Sequence, residues 1–346
     1  MKLRPESVGL KLRGKIAEIE RPLPLIGHIA FGVIDRGYNI VQVRATSLCV
    51  LSCRFCSVGA GPSSQRRLEF MLRDPEWLVA WLRRVHKHKG KFHVLFDAVG
   101  EPLTHPALPD FVEEVSKSGV ALSTIIETRL HPADESLLEK LVEAGASQFN
   151  VSIDSLDPSK ARWLAGSESY DVEKVAKLVE FLHFELGVKV HLTPLWLPGV
   201  NDSDIEQIIE WALRLGLGRG IPPVGVQKYV AHKRGRKMSE AREWSWDRFY
   251  RELEKLEEKF GVRLALRPED YGLNPAPRVP LPYRRGDTVK LVVVSEGWLP
   301  GEMLAVTLSL DRVFTLLCKR ESFEVGDEVV ARVIEDEDGV MIARPV

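Results

Sequence analysis

Short apolar segments alternate with amphipathic segments from about residue 40 to about residue 260. Apolar runs of strand length predict strands over residues 39–43, 92–99, 119–127, 148–153, 188–195 and 223–230. Apolar residues at helical spacing predict helices over residues 74–89, 107–118, 134–144, 171–186, 202–215 and 239–259. Because strands that alternate with helices are joined by right-handed crossovers, the pattern predicts an α/β fold with a parallel sheet.

The two ends of the chain have a different pattern. Residues 1–40 hold short apolar runs between glycine and proline turns, which predicts an N-terminal β extension. Five prolines between residues 268 and 283 predict a stiff linker. Residues 284–346 alternate β-branched and polar residues with Gly-Asp turns, which predicts a small antiparallel β-barrel. Residues 41–267 between them form the predicted α/β domain.

Composition and charge indicate a folded protein without a strong electrostatic bias. The chain has 346 residues, of which 45% are hydrophobic, and its 48 basic and 49 acidic residues give a net charge of −1. This balance indicates no general affinity for nucleic acid. No apolar run is long enough to span a membrane and the first residues lack a signal peptide, so we expect a cytoplasmic protein. High Arg and Glu content with few Met and Cys is typical of thermophilic proteins.

Three of the four cysteines, Cys49, Cys53 and Cys56, form a C-x3-C-x2-C pattern directly after the first predicted parallel strand. Thiolates are soft ligands that suit zinc and iron–sulfur clusters. Three thiolates in one loop would hold three irons of a cubane cluster and leave the fourth open to a ligand. A structural zinc site needs four ligands, and the histidines that follow stand at no zinc spacing. Four cysteines are too sparse for a disulfide framework, so buried thiols are the remaining alternative.

With the aromatic residue Phe55 before its last cysteine, the pattern resembles the signature of the radical S-adenosylmethionine (SAM) superfamily. This resemblance implies a [4Fe–4S] cluster on Cys49, Cys53 and Cys56, with SAM chelating the open iron. It implies that the reduced cluster cleaves SAM to methionine and a 5′-deoxyadenosyl radical, which abstracts a hydrogen atom. Phe55 would lie against the SAM adenine. An electron donor such as ferredoxin or flavodoxin is implied as a partner.

The order of predicted elements resembles the partial (β/α)6 TIM-like barrel of this superfamily over about residues 40–235. In the family, the second strand ends in a Gly-Gly-Glu-like turn that holds the SAM amino group. Gly100 and Glu101, followed by Pro102, match the last two positions of that turn, whereas Val99 replaces the first glycine. The resemblance therefore implies that this turn binds SAM.

Further candidate SAM-binding residues stand at the ends of later strands, where parallel α/β barrels place their chemistry. They are Glu127 and Thr128 at the third strand, Asn150, Ser152 and Asp154 on one face of the fourth, and Thr193, Leu197 and Pro198 at the fifth. The resemblance implies the SAM ribose and carboxylate near Asn150 and Ser152, and the adenine near the loop that begins at Leu197. Asp154 is equally suited to cap the helix that follows it.

The densest basic segment of the chain follows the sixth predicted strand. The candidate substrate-binding residues in this part of the chain are Gln227, Lys228, Tyr229, His232, Lys233, Arg234 and Arg236. Lys and Arg contact phosphates and an aromatic ring stacks on a base, so the segment is typical of an RNA footprint at the rim of a barrel. A solvated loop is the alternative interpretation.

The C-terminal segment 284–346 resembles the TRAM-type or OB-like modules appended to RNA-modifying enzymes. It carries eight Lys or Arg against twelve Asp or Glu, a net charge of about −4, whereas a polyphosphate ligand needs positive counter-charge. A local face such as Arg312, Lys319 and Arg320 would supply it. Docking on the protein's own barrel or on a protein partner is the alternative. Cys318 is interpreted as a buried strand residue.

These patterns favour a radical SAM enzyme with a single cluster. No second cysteine cluster is present to feed a sulfur insertion, and Cys318, the one spare cysteine, stands in the wrong domain for methyl transfer. The leading hypothesis is modification of RNA, such as tRNA. The alternative is modification of a peptide, a protein or a small metabolite. An iron–sulfur or zinc protein without SAM chemistry is the non-enzymatic hypothesis.

Overall fold

Strands and helices alternate in the computed structural model as the hydrophobic pattern predicts. The structure describes residues 5–66, 68–318 and 323–346, so Lys319 and Arg320 of the predicted cationic face lie outside the described residues. The strands are β1 (Leu10–Arg13), β2 (Ile16–Ile19), β3 (Gly32–Asp35), β4 (Ile40–Arg44), β5 (Glu69–Leu72), β6 (Phe92–Phe96), β7 (Ala121–Thr128), β8 (Ala146–Val151), β9 (Lys189–Leu192), β10 (Leu195–Trp196), β11 (Gln227–Lys228), β12 (Thr288–Glu296), β13 (Glu302–Thr307), β14 (Val313–Leu317), β15 (Glu328–Glu335) and β16 (Ile342–Pro345). The helices are α1 (Pro75–Lys89), α2 (Leu108–Lys117), α3 (Glu135–Glu143), α4 (Pro158–Ala165), α5 (Val172–Glu180), α6 (Asp202–Arg214) and α7 (Trp246–Phe260).

The chain divides into two compact units. The first comprises Met1–Leu48, Gln65–Thr124 and Pro275–Val346, and the second comprises Cys49–Ser64 and Ile125–Asn274. The C-terminal strands therefore share a unit with the N-terminal extension, whereas the cysteine loop belongs to the other unit. Among the described residues, no helix is both long enough and apolar enough to cross a membrane.

A six-stranded sheet has the order β3-β4-β6-β7-β8-β9. Strand β4 pairs in parallel with β6, and β8 pairs in parallel with β9, as helix crossovers require. Strand β3 is antiparallel to β4, which gives the parallel sheet an antiparallel edge strand. The predicted α/β class with a parallel sheet is confirmed.

The sixth predicted strand is shorter than the sequence indicates. Over residues 223–230, only β11 pairs with β10, in parallel, and a single bridge joins Val224 to Leu192. Pro222 precedes this stretch and Pro223 is its first residue, and neither can donate a backbone hydrogen bond to a neighbouring strand. The prediction of a continuous strand was wrong because the apolar run does not reveal this loss of donors.

Helix α1 begins and ends where its sequence predicts. The Asp74 carboxylate accepts the Trp77 N–H at 2.9 Å, and Pro75 occupies the first turn, where its missing N–H costs no hydrogen bond. Gly90 follows the last turn with φ 74°. The side chains at helical spacing that it buries include Leu78, Trp81, Leu82 and Val85. Trp81 is only 2% exposed, so this side of the helix belongs to the core.

Residues 288–345 form a closed barrel with the strand order β12-β13-β14-β16-β15. Its core includes the buried side chains of Leu291, Phe314 and Ala331. The prediction of an antiparallel barrel was wrong at one seam, because β14 and β16 are parallel. A ring of five strands cannot alternate direction at every seam. Cys318 follows β14 directly and is half-buried, so its interpretation as a buried strand residue was also wrong.

This small barrel contacts the N-terminal part of its own unit. The Val313 N–H donates to the Ile26 carbonyl at 3.0 Å, and the Met341 N–H donates to the Gly27 carbonyl at 2.7 Å. Arg312 of the predicted cationic face is 7% exposed, and its guanidinium donates to the Asp311 and Pro280 carbonyls at 2.7 and 3.0 Å. These contacts favour docking within the chain over an exposed cationic face at Arg312.

Buried His28 is expected to make stability fall in acid. The ring stacks on Phe31 at 4.8 Å and meets the edge of Phe70 at 5.2 Å, and burial lowers its pKa from 6.5 to about 3. The unfolded chain takes up a proton below its ordinary pKa, whereas the folded chain does not. The contribution of neutral His28 to the free energy of unfolding is therefore fully present above about pH 6.5 and is lost as the pH falls towards 3. The loss between pH 7 and pH 5 is about 2 kcal/mol.

Urea unfolding at these two pH values checks this prediction. His28→Asn keeps an acceptor for the Ala30 N–H, which the His28 ring accepts at 3.1 Å, but it cannot titrate. Its loss of unfolding free energy between the two pH values is expected to be about 2 kcal/mol smaller than that of the wild type. His88→Asn, at an exposed histidine, is the control and should leave the difference unchanged. The prediction is contradicted if His28→Asn loses as much unfolding free energy between pH 7 and pH 5 as the wild type does.

Candidate active site

The loop of residues 49–64 opens the second unit and carries the three motif cysteines. Cys53 is buried, whereas Cys49 and Cys56 are half-buried. The Cys56 N–H donates to the Cys53 carbonyl at 3.1 Å, and the Cys56 sulfur accepts the Ala60 N–H at 3.3 Å. The turn fixes the backbone of Cys53 relative to Cys56 and gives one sulfur a backbone donor, of the kind that tunes the potential of iron–sulfur clusters.

One side of this loop lies on the carboxyl end of α4. The Ser52 N–H donates to the Ala165 carbonyl at 3.1 Å, and the Arg54 N–H donates to the Leu164 carbonyl at 3.0 Å. Carbonyls in the last turn of a helix lack partners within the helix, so the loop supplies them. Gly166 ends α4 at φ 59°, and a Cβ there would lie 2.2 Å from the Ser52 carbonyl oxygen. Only glycine allows this approach.

The other side of the loop is held by Arg236. Its guanidinium donates to the Cys53 carbonyl at 2.6 Å, to the Ala60 carbonyl at 2.5 Å and to the Ser63 hydroxyl at 3.2 Å. Its backbone N–H donates to the Cys56 carbonyl at 2.8 Å. The structure therefore places Arg236, a predicted substrate-binding residue, on the backbone of the cysteine loop.

A second guanidinium, that of Arg129, lies near the buried thiol. It pairs with Asp154 at 2.8 Å, and its Cζ lies 5.9 Å from the Phe55 ring centroid and 5.4 Å from the Tyr170 ring centroid. Burial raises the pKa of the Cys53 thiol, and the Arg129 charge is the largest influence that opposes this rise. Arg129 therefore favours the thiolate form, which is the form that binds metal.

Asp154 connects loops and does not cap a helix. Its Oδ1 accepts the Leu195 N–H at 2.9 Å, and its carbonyl accepts the Asn201 side-chain amide at 2.9 Å. Helix α4 has Asp157 as its N-cap, so the capping alternative for Asp154 was wrong. The Asp154 side chain instead joins Arg129 to the end of the fifth strand.

Four of the predicted strand-end residues form one hydrogen-bonded group around the Glu127 carboxylate. The Asn150 amide donates to Oε2 at 3.0 Å, and the Thr193 hydroxyl donates to Oε1 at 3.1 Å. The Ser152 hydroxyl lies 3.4 Å from Oε1 and 3.0 Å from the Thr193 hydroxyl. The second unit therefore presents a carboxylate, an amide and two hydroxyls side by side, a set that matches hydroxyl and amino groups of a ligand.

The other predicted strand-end residues of this unit shape the loops. The Thr128 hydroxyl accepts the Leu130 N–H at 2.9 Å just past the end of β7. The Leu197 N–H donates to the Asn201 side chain at 2.7 Å, and both Leu197 and Pro198 are buried. Asn201 thus fixes the start of the proline-glycine loop.

The Gly100–Glu101 turn belongs to the first unit and packs on the segment that leads into the cysteine loop. The Glu101 N–H donates to the Leu48 carbonyl at 2.7 Å, and the Glu101 carboxylate accepts the Leu103 N–H at 3.2 Å. A Cβ at Gly100 would lie 2.1 Å from the Leu48 carbonyl oxygen, so the turn requires glycine there. Pro102 begins a short 3-10 turn that ends at Thr104.

The candidate substrate residues around β11 occupy different environments. Lys228 lies 3.7 Å from Glu243 and 5.0 Å from the Trp246 ring centroid. Tyr229 is 3% exposed, and its hydroxyl accepts the Met238 N–H at 3.0 Å, so its ring does not face solvent. The candidate residues that remain exposed are Gln227, His232, Lys233 and Arg234.

The donor set of the cysteine loop fits an iron–sulfur cluster. All three thiols are free of disulfides, and one sulfur already accepts a backbone N–H. Within the described ranges, no group of three or more His, Cys, Asp or Glu side chains is placed to hold a metal ion. A cubane cluster binds each cysteine through a different iron, so the three sulfurs need not converge on one point.

Sequence reasoning did not identify Arg129 as a residue of this site. The available signal was its position directly after Glu127 and Thr128, at the end of a predicted parallel strand. A cation at that position is close to the chemistry of a parallel α/β fold. The residues that pair with it, Asp154 and Phe55, were candidates on other grounds.

Comparison with known proteins identifies the family. The radical SAM superfamily profile matches residues 43–212. The uncharacterized protein MJ0103 of Methanocaldococcus jannaschii is 32% identical over 98% of this chain and 84% of that protein. A GTP 3′,8-cyclase of Chlorobaculum tepidum is 29% identical over 51% of this chain, which spans 50% of the length of that enzyme.

The crystal structure of Streptococcus suis SuiB bound to S-adenosylmethionine gives a TM-score of 0.48 at 15% identity, over 72% of this chain and 51% of SuiB. Radical SAM enzymes use a [4Fe–4S] cluster and SAM, and the cysteine loop at residues 49–56 carries their motif. The chain belongs to the radical SAM superfamily.

Proposed function

We propose that this enzyme uses reductive cleavage of SAM to modify a nucleoside within an RNA, such as a tRNA. The [4Fe–4S] cluster, when bound to Cys49, Cys53 and Cys56, supplies the electron that cleaves SAM. The observation that carries the RNA proposal is a cationic segment held directly on the cysteine loop. Arg236 anchors this segment through the Cys53 and Cys56 carbonyls, while Lys233 is exposed beside it.

The charges of this segment suit phosphates outside the site. Lys233, Arg234 and Lys237 are exposed within five residues of one another, and phosphate contacts of this type dominate the affinity of proteins for RNA. The Glu127 group contains the candidate SAM-binding residues Asn150 and Ser152 and suits the SAM ribose, because a carboxylate and an amide bind hydroxyl groups. This division supports an RNA substrate whose phosphates bind the exposed cations while SAM binds at the Glu127 group.

The first test measures 5′-deoxyadenosine after anaerobic reconstitution with iron and sulfide, then dithionite and SAM, with and without total tRNA. We expect tRNA to raise the yield. A triple variant, Lys233→Gln, Arg234→Gln and Lys237→Gln, should weaken tRNA binding and reduce the slope of log affinity against log salt by about 2 to 3. Cleavage of SAM without tRNA should stay unchanged in this variant.

A matched control removes three exposed cations elsewhere. Arg83→Gln, Lys87→Gln and Lys91→Gln change the net charge by the same amount, and all three side chains are exposed. This triple variant should keep both the affinity and the salt slope of the wild type. The RNA proposal would be contradicted if both triple variants lost the same tRNA affinity. It would also be contradicted if tRNA did not change the yield of 5′-deoxyadenosine.

A small metabolite is the second candidate substrate. The matched relatives include GTP 3′,8-cyclases, and the chain spans 50% and 62% of the lengths of two of them. GTP added in place of tRNA distinguishes the two candidates: stimulation by GTP alone favours the metabolite, and stimulation by tRNA alone favours RNA.

A further inference from the structure

The small C-terminal barrel places one aromatic ring over a buried cation of the first unit. Trp298 lies in the hairpin between β12 and β13 and is 5% exposed. Its ring centroid is 4.4 Å from the Cζ of Arg66, which is the geometry of a cation–π contact. Among the described residues, the buried Trp298 indole N–H has no hydrogen-bond partner, so the interactions seen for this side chain come from its ring.

The hairpin that carries Trp298 is itself fixed. The Gly297 N–H donates to the Glu302 carbonyl at 2.9 Å, and the Leu299 N–H donates to the Glu302 carboxylate at 3.1 Å. A Cβ at Gly297 would lie 2.5 Å from the Glu302 Cβ, so the two sides of the hairpin touch. Trp298 is therefore presented by a rigid turn of the barrel.

Arg66 joins two backbone segments beneath this ring. Its guanidinium donates to the Ser47 carbonyl at 2.8 Å and to the Val99 carbonyl at 2.6 Å. It also pairs with Glu69 at 3.1 Å, and its side chain is only 2% exposed. A planar guanidinium reaches several acceptors at fixed angles, which a lysine ammonium does not.

Both segments lead directly to candidate cofactor contacts. Ser47 stands two residues before Cys49, and Val99 immediately precedes Gly100. A Cβ at Gly100 would lie 2.4 Å from the Ser47 carbonyl oxygen, so the segments are already as close as their backbones permit. A shift of the Arg66 guanidinium would move one segment relative to the other.

We infer that the C-terminal barrel positions the SAM-binding edge of the first unit through Trp298 and Arg66. Trp298 holds the guanidinium, and Arg66 is a positioning residue that sets the Gly100 turn against the segment entering the cysteine loop. The inference rests on superfamily membership and is independent of the RNA proposal.

Three variants of the full-length, cluster-loaded protein test this inference. SAM affinity is measured by equilibrium dialysis, and the change that SAM causes in the electron paramagnetic resonance spectrum of the reduced cluster is recorded. Trp298→Leu removes the π face and should weaken SAM binding about 10-fold and reduce the spectral change. Arg66→Lys should have a similar effect. Trp298→Phe keeps a ring over Arg66 and should bind SAM within about 3-fold of the wild type.

Trp81→Leu is the matched control. Trp81 is also buried in the first unit and also lies under a guanidinium, with the Arg84 Cζ 4.3 Å from its ring centroid. This variant should lose stability but keep the wild-type SAM affinity. The inference is overturned if Arg66→Lys binds SAM like the wild type, or if Trp81→Leu weakens SAM binding as much as Trp298→Leu. If Trp298→Leu does not fold, the SAM affinities of Trp298→Phe and Arg66→Lys are compared instead. The inference then requires Trp298→Phe to bind SAM more tightly than Arg66→Lys.

Discussion

Cys53→Ala is expected to abolish the iron–sulfur absorbance of the reconstituted protein and to reduce SAM cleavage by at least about 10³-fold, equivalent to about 4 kcal/mol of activation free energy. Cys53 is the most buried of the three loop thiols, at 9% exposure, and Arg129 stands nearby to favour its thiolate. Cys49 and Cys56, the other cysteines of the loop, are themselves motif residues, so the loop has no spare thiol to replace it. Iron content, visible absorbance and 5′-deoxyadenosine yield provide the measurements.

Cys318→Ala is the control for this prediction, because Cys318 is the one cysteine outside the motif. It should keep full cluster content and SAM cleavage. Circular dichroism of Cys53→Ala should match that of the wild type, since replacing a thiol by a methyl group leaves the backbone contacts of the loop in place. A folded Cys53→Ala protein that still cleaves SAM would show that the cluster is held elsewhere.

The fold class was predictable from sequence because hydrophobic periodicity is a local property. Helix α6 was predicted over residues 202–215 and runs over Asp202–Arg214. The length of the sixth strand was overestimated, because an apolar run indicates burial but not the backbone donors that are missing at Pro222 and Pro223. The parallel seam of the small barrel was also missed, because strand direction is set by closure of the ring and not by any one strand.

The candidate site was predictable only where its chemistry is local. The three cysteines stand within eight residues of one another, and their spacing alone indicates the motif. The residues that hold the loop come from far away: the Arg236 guanidinium and the Cys53 carbonyl belong to residues 183 positions apart. The sequence alone does not show whether a basic side chain contacts a phosphate or a carbonyl of its own chain. The contact between Arg66 and Trp298 could not be predicted either, because these two residues are also far apart in the sequence.

Arg236→Ala is expected to lower the cluster content after reconstitution by about 10-fold. The change takes the guanidinium donor from the Ala60 carbonyl and leaves the Cys53 carbonyl with the Cys56 N–H alone. A buried acceptor left unpaired costs about 1–3 kcal/mol. We expect this cost to loosen the loop and make the cluster easier to lose. Iron content per chain and the decay of visible absorbance in the presence of a chelator provide the measurements.

Two further variants separate the loop role of Arg236 from a phosphate role. Arg236→Lys keeps the charge, but its compact ammonium cannot span the carbonyls that the guanidinium joins, so its cluster content should fall between those of the wild type and Arg236→Ala. Lys237→Ala removes an exposed neighbouring cation and should keep the cluster intact. If Arg236→Ala instead retains its cluster and loses tRNA affinity as Lys237→Ala does, its guanidinium acts on phosphate, as the sequence pattern suggests. If cluster content falls in Arg236→Ala but not in Lys237→Ala, the Arg236 guanidinium is a structural part of the cysteine loop. The neighbouring basic side chains are then the ones available to a substrate.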